Sequence, residues 1–256
     1  GISSGIVRWP LTYPALPLTG FLVTDRFHQL IGSMFEFDGR SAYPPEVVPV
    51  ARDAFEGSAT NSTDPPTAAA RWDEFYGRAF RELEALRPVQ LAAVRYQGLD
   101  SVGHFYLRYA EPRDFGGVSD EDRQRYGGVL DRYYAQVDGA IGAAVERLAP
   151  GDLLLVVSGF GMEPVSPIKQ AAARVLRDPD VSGTHENAPD GFVLAYGTTV
   201  AAGRKQRGSI VDVTPTILYF LGVPIGRDMD GYARADLFTP PFMSARPITY
   251  IPSHGR

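Results

Sequence analysis

The sequence predicts an α/β domain built around a largely parallel sheet, and three observations carry that prediction. Short apolar runs at 89–96, 152–157 and 192–196 have the length and composition of strands buried on both faces. Around them lie segments whose apolar residues recur at three- and four-residue steps, the stripe of an amphipathic helix. Strand and helix patterns alternate along the chain, the order of βαβ units rather than of segregated layers.

In chain order, residues 5–8 read as a short strand and 18–24 as a second extended stretch after a Pro-rich connection. Residues 32–67 turn to Pro, Gly, Ser, Asp and Asn, including Tyr43-Pro-Pro-Glu46 and Asn61-Ser-Thr-Asp-Pro-Pro66, and are expected to form an irregular insertion with room for one short helix. Asn61-Ser-Thr63 also fits a glycosylation acceptor, a pattern that chance produces often. Trp72, Phe75, Tyr76, Ala79, Phe80, Leu83 and Leu86 form a helical stripe ended by Pro88, which delivers the chain to the strand at 89–96. Ser119 with Asp122 gives a shortened capping signal ahead of Tyr126, Val129, Leu130, Tyr133, Val137, Ile141, Val145 and Leu148, and predicts one long helix stopped by Pro150-Gly151. The strand at 152–157 runs into Ser158-Gly-Phe-Gly161, and the strand at 192–196 follows. Asp212 is placed to cap a last helix carrying Ile217, Leu218 and Leu221, ended by Gly222 and Pro224.

Composition narrows the function. With 44% hydrophobic and 21% charged residues, a chain of 256 residues has enough apolar surface to fold, which excludes disorder as its main state. Its 25 basic and 30 acidic side chains are spread along the sequence and leave a charge of −5, so no overall field draws nucleic acid or an anionic membrane. Arg204, Lys205 and Arg207 lack interleaved aromatics and read as a solvated loop, so no nucleic-acid partner is expected. A phosphate-bearing substrate therefore needs a local cationic centre. The absence of cysteine excludes disulfides, thiolate ligands and a cysteine nucleophile, and restricts any metal to nitrogen and oxygen ligands. No apolar run reaches the roughly 18 residues of a spanning helix.

Ligands of open α/β sheets bind outside the carboxyl ends of the strands. After the run at 89–96 comes Gln97-Gly-Leu-Asp100-Ser-Val-Gly-His104, a carboxylate and an imidazole that share one face if the turn is helical. Before the run at 192–196 lies Gly183-Thr-His185, a second histidine in a polar loop. One Asp and two His with an open position suit a zinc site, while an Asp-x-x-x-His pair by itself equally describes a surface ion pair or a cap. His28 and His254 have no companion carboxylate pattern and read as structural or exposed.

Asp100-Ser-Val-Gly-His104, Gly183-Thr-His185, Asp212-Val-Thr-Pro-Thr216 and Gly222-Val-Pro-Ile-Gly-Arg-Asp-Met-Asp-Gly231 resemble, in order, the motifs of the type I phosphodiesterase/nucleotide pyrophosphatase family of the alkaline phosphatase superfamily. Trp9-Pro-Leu-Thr-Tyr-Pro-Ala15 and residues 20–26 resemble a family segment that follows the nucleophile region, and Arg246-Pro-Ile-Thr-Tyr-Ile-Pro-Ser253 resembles the tail of bacterial members. The resemblance implies one alkaline-phosphatase-like domain over residues 1–256, a three-layer α/β/α sandwich with a largely parallel central sheet and its N-terminal part missing. It also implies zinc at one sheet edge, with Asp100, His104 and His185 as the ligands of one ion. Such an ion polarises a phosphate oxygen and supplies the local cation that the overall charge lacks.

Two departures from the family pattern stand beside this. Where the family carries Ser-Asp-His-Gly, this chain has Ser158-Gly159-Phe160-Gly161, and neither Gly159 nor Phe160 has a donor atom, so the second zinc site is degenerate. No segment matches the family's N-terminal strand with its metal-binding Asp and its Thr or Ser nucleophile; these are expected upstream of Gly1 or on a protein partner. The expected function is hydrolysis of a small phosphate ester with one retained zinc ion, in an extracytoplasmic or membrane-associated setting with any anchor upstream. The alternative is a non-catalytic descendant acting as a subunit or binding module. A serine hydrolase built on Ser158 is disfavoured, because Val156-Val-Ser-Gly-Phe160 lacks the Gly-x-Ser-x-Gly elbow.

Overall fold

Parallel pairing of three short strands organises the N-terminal part of the chain, as the alternation of strand and helix patterns predicts. The computed structural model describes residues 1–30, 39–58, 65–115, 117–176 and 181–255. In chain order these form β1 (Ser4–Val7), β2 (Gly20–Val23), α1 (Phe27–Leu30), β3 (Ala42–Tyr43), α2 (Val48–Gly57), α3 (Pro65–Leu86), β4 (Leu91–Val94) and α4 (Gly98–Ala110). There follow α5 (Asp120–Tyr126), α6 (Val129–Glu146), β5 (Leu154–Phe160), β6 (Glu163–Pro164), α7 (Pro167–Leu176), β7 (Gly183–Thr184) and β8 (Asp190–Tyr196). The last elements are α8 (Val213–Leu221), β9 (Ile225–Gly226), α9 (Pro240–Ala245) and β10 (Tyr250–Ile251). They fall into two compact units, Gly1–Ala140 with Met162–Asn187, and Ile141–Gly161 with Ala188–Arg256.

In the first unit the sheet order is β3-β2-β1-β4, with β1 parallel to both β2 and β4 and β3 antiparallel at the edge. The sheet packs on α3 through the stripe read from the sequence: Phe75, Tyr76, Ala79 and Leu83 are buried against Val7, Phe21, Val23 and Phe27. A second cluster joins α3, α4 and the start of α6 through Ala69, Val102, Val129, Leu130 and Tyr133. Because β1 and β4 run parallel, the chain leaving each emerges at the same sheet edge, and α4 begins there.

In the second unit β5 and β8 pair antiparallel, from Leu154 opposite Tyr196 to Phe160 opposite Asp190. Phe192, Val193 and Leu194 are all exposed although successive strand residues face opposite sides, so neither face of this ribbon is fully covered. A separate core gathers Tyr219, Ile225 and Phe238 with Leu218, Phe220 and Phe242.

Four expectations need correction. The predicted helix across 119–148 is two helices, α5 and α6, separated at Gly127-Gly128, because two adjacent glycines make the least favourable non-proline helix interior. The Ser119 cap holds: its hydroxyl accepts from the Asp122 N–H at 3.0 Å. The strand from 152 does not stop before Ser158 but continues to Phe160, and its pairing with β8 is antiparallel, since an unbroken apolar run carries no mark of strand direction. Asp212 makes no side-chain cap for α8; it serves a capping box with Ser209 and accepts from the Tyr232 N–H, which lowers its carboxyl below the ordinary range. Within residues 32–67 lie β3 and α2, while 31–38 and 59–64, including Asn61-Ser-Thr63, fall outside the described residues. No described helix is long and apolar enough to cross a membrane.

His28, read as structural, is a part-buried side chain beside the first core. Its Nδ1 lies 2.8 Å from the Tyr76 hydroxyl and its ring rests on Trp72 at 4.6 Å between centroids. Burial, and secondly the Arg8 guanidinium, hold the imidazole below its ordinary 6.5 at about 4, against the opposing pull of Asp25. Protons therefore bind the unfolded chain first as pH falls, and stability drops between about pH 6.5 and about 4, then levels off. Unfolding in urea should show a loss on the order of 3 kcal/mol across that window that His28→Gln lacks. Phe75→Ala, which empties a fully buried ring, should cost about 3–5 kcal/mol in the same measurement.

Candidate metal centre

The chain between β4 and α4 supplies the first two side chains of the site. Residues 98–110 are helical, so Asp100 and His104 stand one turn apart on one face, with His104 Nε2 3.7 Å from Asp100 Oδ1. His185 follows β7, and its Nε2 lies 2.8 Å from the same carboxylate oxygen. The two imidazoles meet edge to face at 4.9 Å between centroids. Of the described residues, these three form the one group of potential ligands, with one ligand atom from each lying within 4.8 Å of the others. All three side chains are about 30% exposed, at 31%, 30% and 27%, so the cluster opens to solvent on one side.

Backbone contacts between α4 and the 182–185 segment hold the histidines together. The Ser182 N–H donates to the His104 carbonyl at 2.6 Å, and His104 Nδ1 donates to the Gly183 carbonyl at 2.8 Å. That second bond fixes the tautomer and leaves Nε2 as the free ring nitrogen on the cluster side. Further along, Glu163 on β6 accepts from the Asn187 N–H at 2.6 Å, and Lys169 pairs with Glu186. Gly183 is needed for the approach. A Cβ there would overlap Met162 Sδ and stand 2.7 Å from the Gly103 carbonyl oxygen, a backbone atom that cannot swing aside.

The donor set fits a divalent ion. Ligands held at ~2.0–2.2 Å in a tetrahedron stand ~3.4 Å apart, and the distances of 2.8 and 3.7 Å from Asp100 Oδ1 bracket that spacing. One carboxylate and two neutral imidazoles also leave a divalent ion with net positive charge.

The structure thus brings together Asp100, His104 and His185, which the sequence places 81 residues apart between His104 and His185. His254 lies elsewhere, with Nε2 2.7 Å from the Pro224 carbonyl, and is exposed as expected. Gly159 and Phe160 sit at the end of β5 in the second unit, where Phe160 is 57% exposed. A Cβ at Gly159 would meet nothing within 4 Å, so packing does not demand glycine there. One contributor escaped the sequence: Gln97 donates its Nε2 to Asp100 Oδ2 at 2.7 Å. Its three-residue spacing from Asp100 is the signal that a helical reading could have used.

The family model described as type I phosphodiesterase / nucleotide pyrophosphatase matches residues 1–214. No curated protein and no solved structure among those compared matches the chain.

Alanine at position 183 forces the loop off α4, whereas alanine at 103 meets only the flexible end of Met162. Gly183→Ala should weaken divalent-metal binding by about tenfold or more, and Gly103→Ala should change it far less. Calorimetric titration of both variants with one metal checks the order.

Proposed function

Because the chain belongs to the type I phosphodiesterase/nucleotide pyrophosphatase family, we propose that it is a metal-dependent hydrolase of phosphate esters, with phosphodiesters as its substrate class and zinc as its metal. The observation that carries this reading is the convergence of Asp100, His104 and His185 from two distant segments onto one solvent-open point. A zinc ion held by these residues supplies Lewis-acid polarisation of a phosphoryl oxygen.

The protein's own residues do the rest. Asp100 offers one negative charge and the imidazoles none, which keeps the centre attractive to an anionic ester in a chain whose overall charge is −5. His104 is held by the Gly183 carbonyl in the tautomer that presents Nε2, so no ring rotation is needed when ligand binds. The solvent-exposed side of the cluster offers a phosphate a way in. No nucleophile is assigned among these 256 residues.

A second reading is favoured by one specific observation. By the motif resemblance Gly159 and Phe160 stand where the family carries an Asp and a His, and since neither side chain has a donor atom, a second ion would lack two of its ligands. On that reading the chain is a binding module that retains a metal without turnover.

Turnover of bis(4-nitrophenyl) phosphate with added zinc separates the two. The hydrolase is expected to show zinc-dependent release of nitrophenolate that falls at least about a hundredfold in His104→Ala. Zinc binding that depends on His104, with no release at any substrate concentration, supports the binding module. A chain that binds no zinc overturns both.

A further inference from the structure

Behind the ligand cluster lies a buried carboxylate that no motif marks. Asp73 on α3 is 1% exposed, and an ionised group in that position persists only when it is paired and hydrogen-bonded on every side. Its partners come from three places in the chain. Arg8, just past β1, forms an ion pair with it, and the same guanidinium lies 4.8 Å from the Tyr76 ring centroid. The Tyr133 hydroxyl on α6 donates to Oδ2 at 2.8 Å. The remaining two donors are backbone groups at the start of α4: the Gln97 N–H to Oδ1 at 3.1 Å and the Gly98 N–H to Oδ2 at 2.9 Å.

Those two N–H groups have no partner within their own helix, and Gln97 at the N-cap position makes no side-chain cap bond. Asp73 therefore caps α4 from another helix, with its negative charge at the positive end of the helix dipole. Gly98 makes the approach feasible, since a Cβ there would overlap the Tyr133 hydroxyl and stand 2.8 Å from Asp73 Oδ2. Released from capping, the Gln97 side chain reaches one turn forward and donates to Asp100 Oδ2 at 2.7 Å. That bond occupies one carboxylate oxygen. It leaves Oδ1 as the oxygen facing both His185 and His104, at 2.8 and 3.7 Å.

We propose that Asp73 and Gln97 are positioning residues of the metal site, acting in series: Asp73 anchors the Gln97 backbone, and the Gln97 amide holds Asp100 as a single-oxygen ligand through Oδ1. The inference rests on the metal-site reading above. It goes further in naming what sets the site's affinity and coordination number. With Oδ2 engaged, Asp100 takes one coordination position, and the position it would otherwise close stays open to a substrate oxygen.

The test uses the full chain, zinc alone as titrant, and cobalt(II) as a spectroscopic substitute. Gln97→Met keeps side-chain length and removes the donor. Zinc affinity is expected to fall about 10–100-fold, while the unfolding temperature without metal stays unchanged. The visible cobalt band is expected to weaken, because a carboxylate free to bind through both oxygens raises the coordination number. Asp73→Asn should lower both affinity and stability. In the double variant the affinity loss should match that of the larger single variant rather than the product of the two, as expected for residues in series. Should Asp73→Asn fail to fold, Gln97→Met decides alone. Unchanged zinc affinity and an unchanged cobalt spectrum in Gln97→Met overturn the proposal, as does full additivity in the double variant. Failure of the metal-site reading itself is distinguishable, because it appears as absent zinc binding in the unsubstituted protein.

Discussion

The buried charge on Asp73 constrains the first unit more than any other single group. Taken out of water, a carboxylate must be neutralised and its lone pairs filled. Arg8, Tyr133 and the backbone of Gln97 and Gly98 supply those needs from the end of β1, from α6 and from the start of α4 at once. Arg8 is held at φ 58, a left-handed conformation uncommon for a side chain of its size, so the backbone strain just past β1 accompanies this pairing. Helix α4 starts where it does because its first N–H groups are received by that carboxylate, and the ligand face is set from that starting point. Moving the start by one residue would rotate Asp100 and His104 by about 100° around the helix axis.

The ligand cluster is correspondingly built on rigid parts. Asp100 and His104 share a helix whose N-terminus is pinned, and His185 follows a two-residue strand that is hydrogen-bonded to that helix. Close backbone approach at Gly183 keeps the contact short. This division of labour leaves the side chains about 30% exposed while their backbones are fixed. A site that must admit a charged ligand and still hold its geometry has both requirements met by placing order behind the ligands and solvent in front.

The second unit follows different physics. Residues 154–157 of β5 and 192–196 of β8 are apolar runs, the composition of strands buried on both faces, yet Phe192, Val193 and Leu194 are all exposed. Its own core is centred on Tyr219, Ile225 and Phe238, and Leu153, just before β5, packs against it. Gly159 and Phe160 belong to the exposed end of β5 and carry no metal-binding atoms. Asp100, His104 and His185 thus belong to one unit and Gly159 and Phe160 to the other, and the chemistry proposed for the chain depends on the first.

Much of this was legible in the sequence, for a definite reason. The α3 stripe from Trp72 to Leu86, the Ser119 cap and the Asp-x-x-x-His face of α4 are short-range patterns, each decided by residues within a few turns of one another. The motif order likewise identified the family, because residue types and spacings are written locally. What the sequence left open is every feature that needs two distant segments. Strand direction in β5 and β8 is carried by pairing and not by composition. The role of Asp73 depends on meeting Gln97, Gly98 and Tyr133 across as many as 60 residues, and nothing in the run Arg71-Trp-Asp73-Glu separates it from a solvated charge. Residue types and spacing, through the resemblance they carry, were thus enough to bring forward Asp100, His104 and His185 as candidate ligands. Only tertiary packing, which buries one carboxylate and leaves another open to solvent, decided which acid holds the helix and which faces the two histidines.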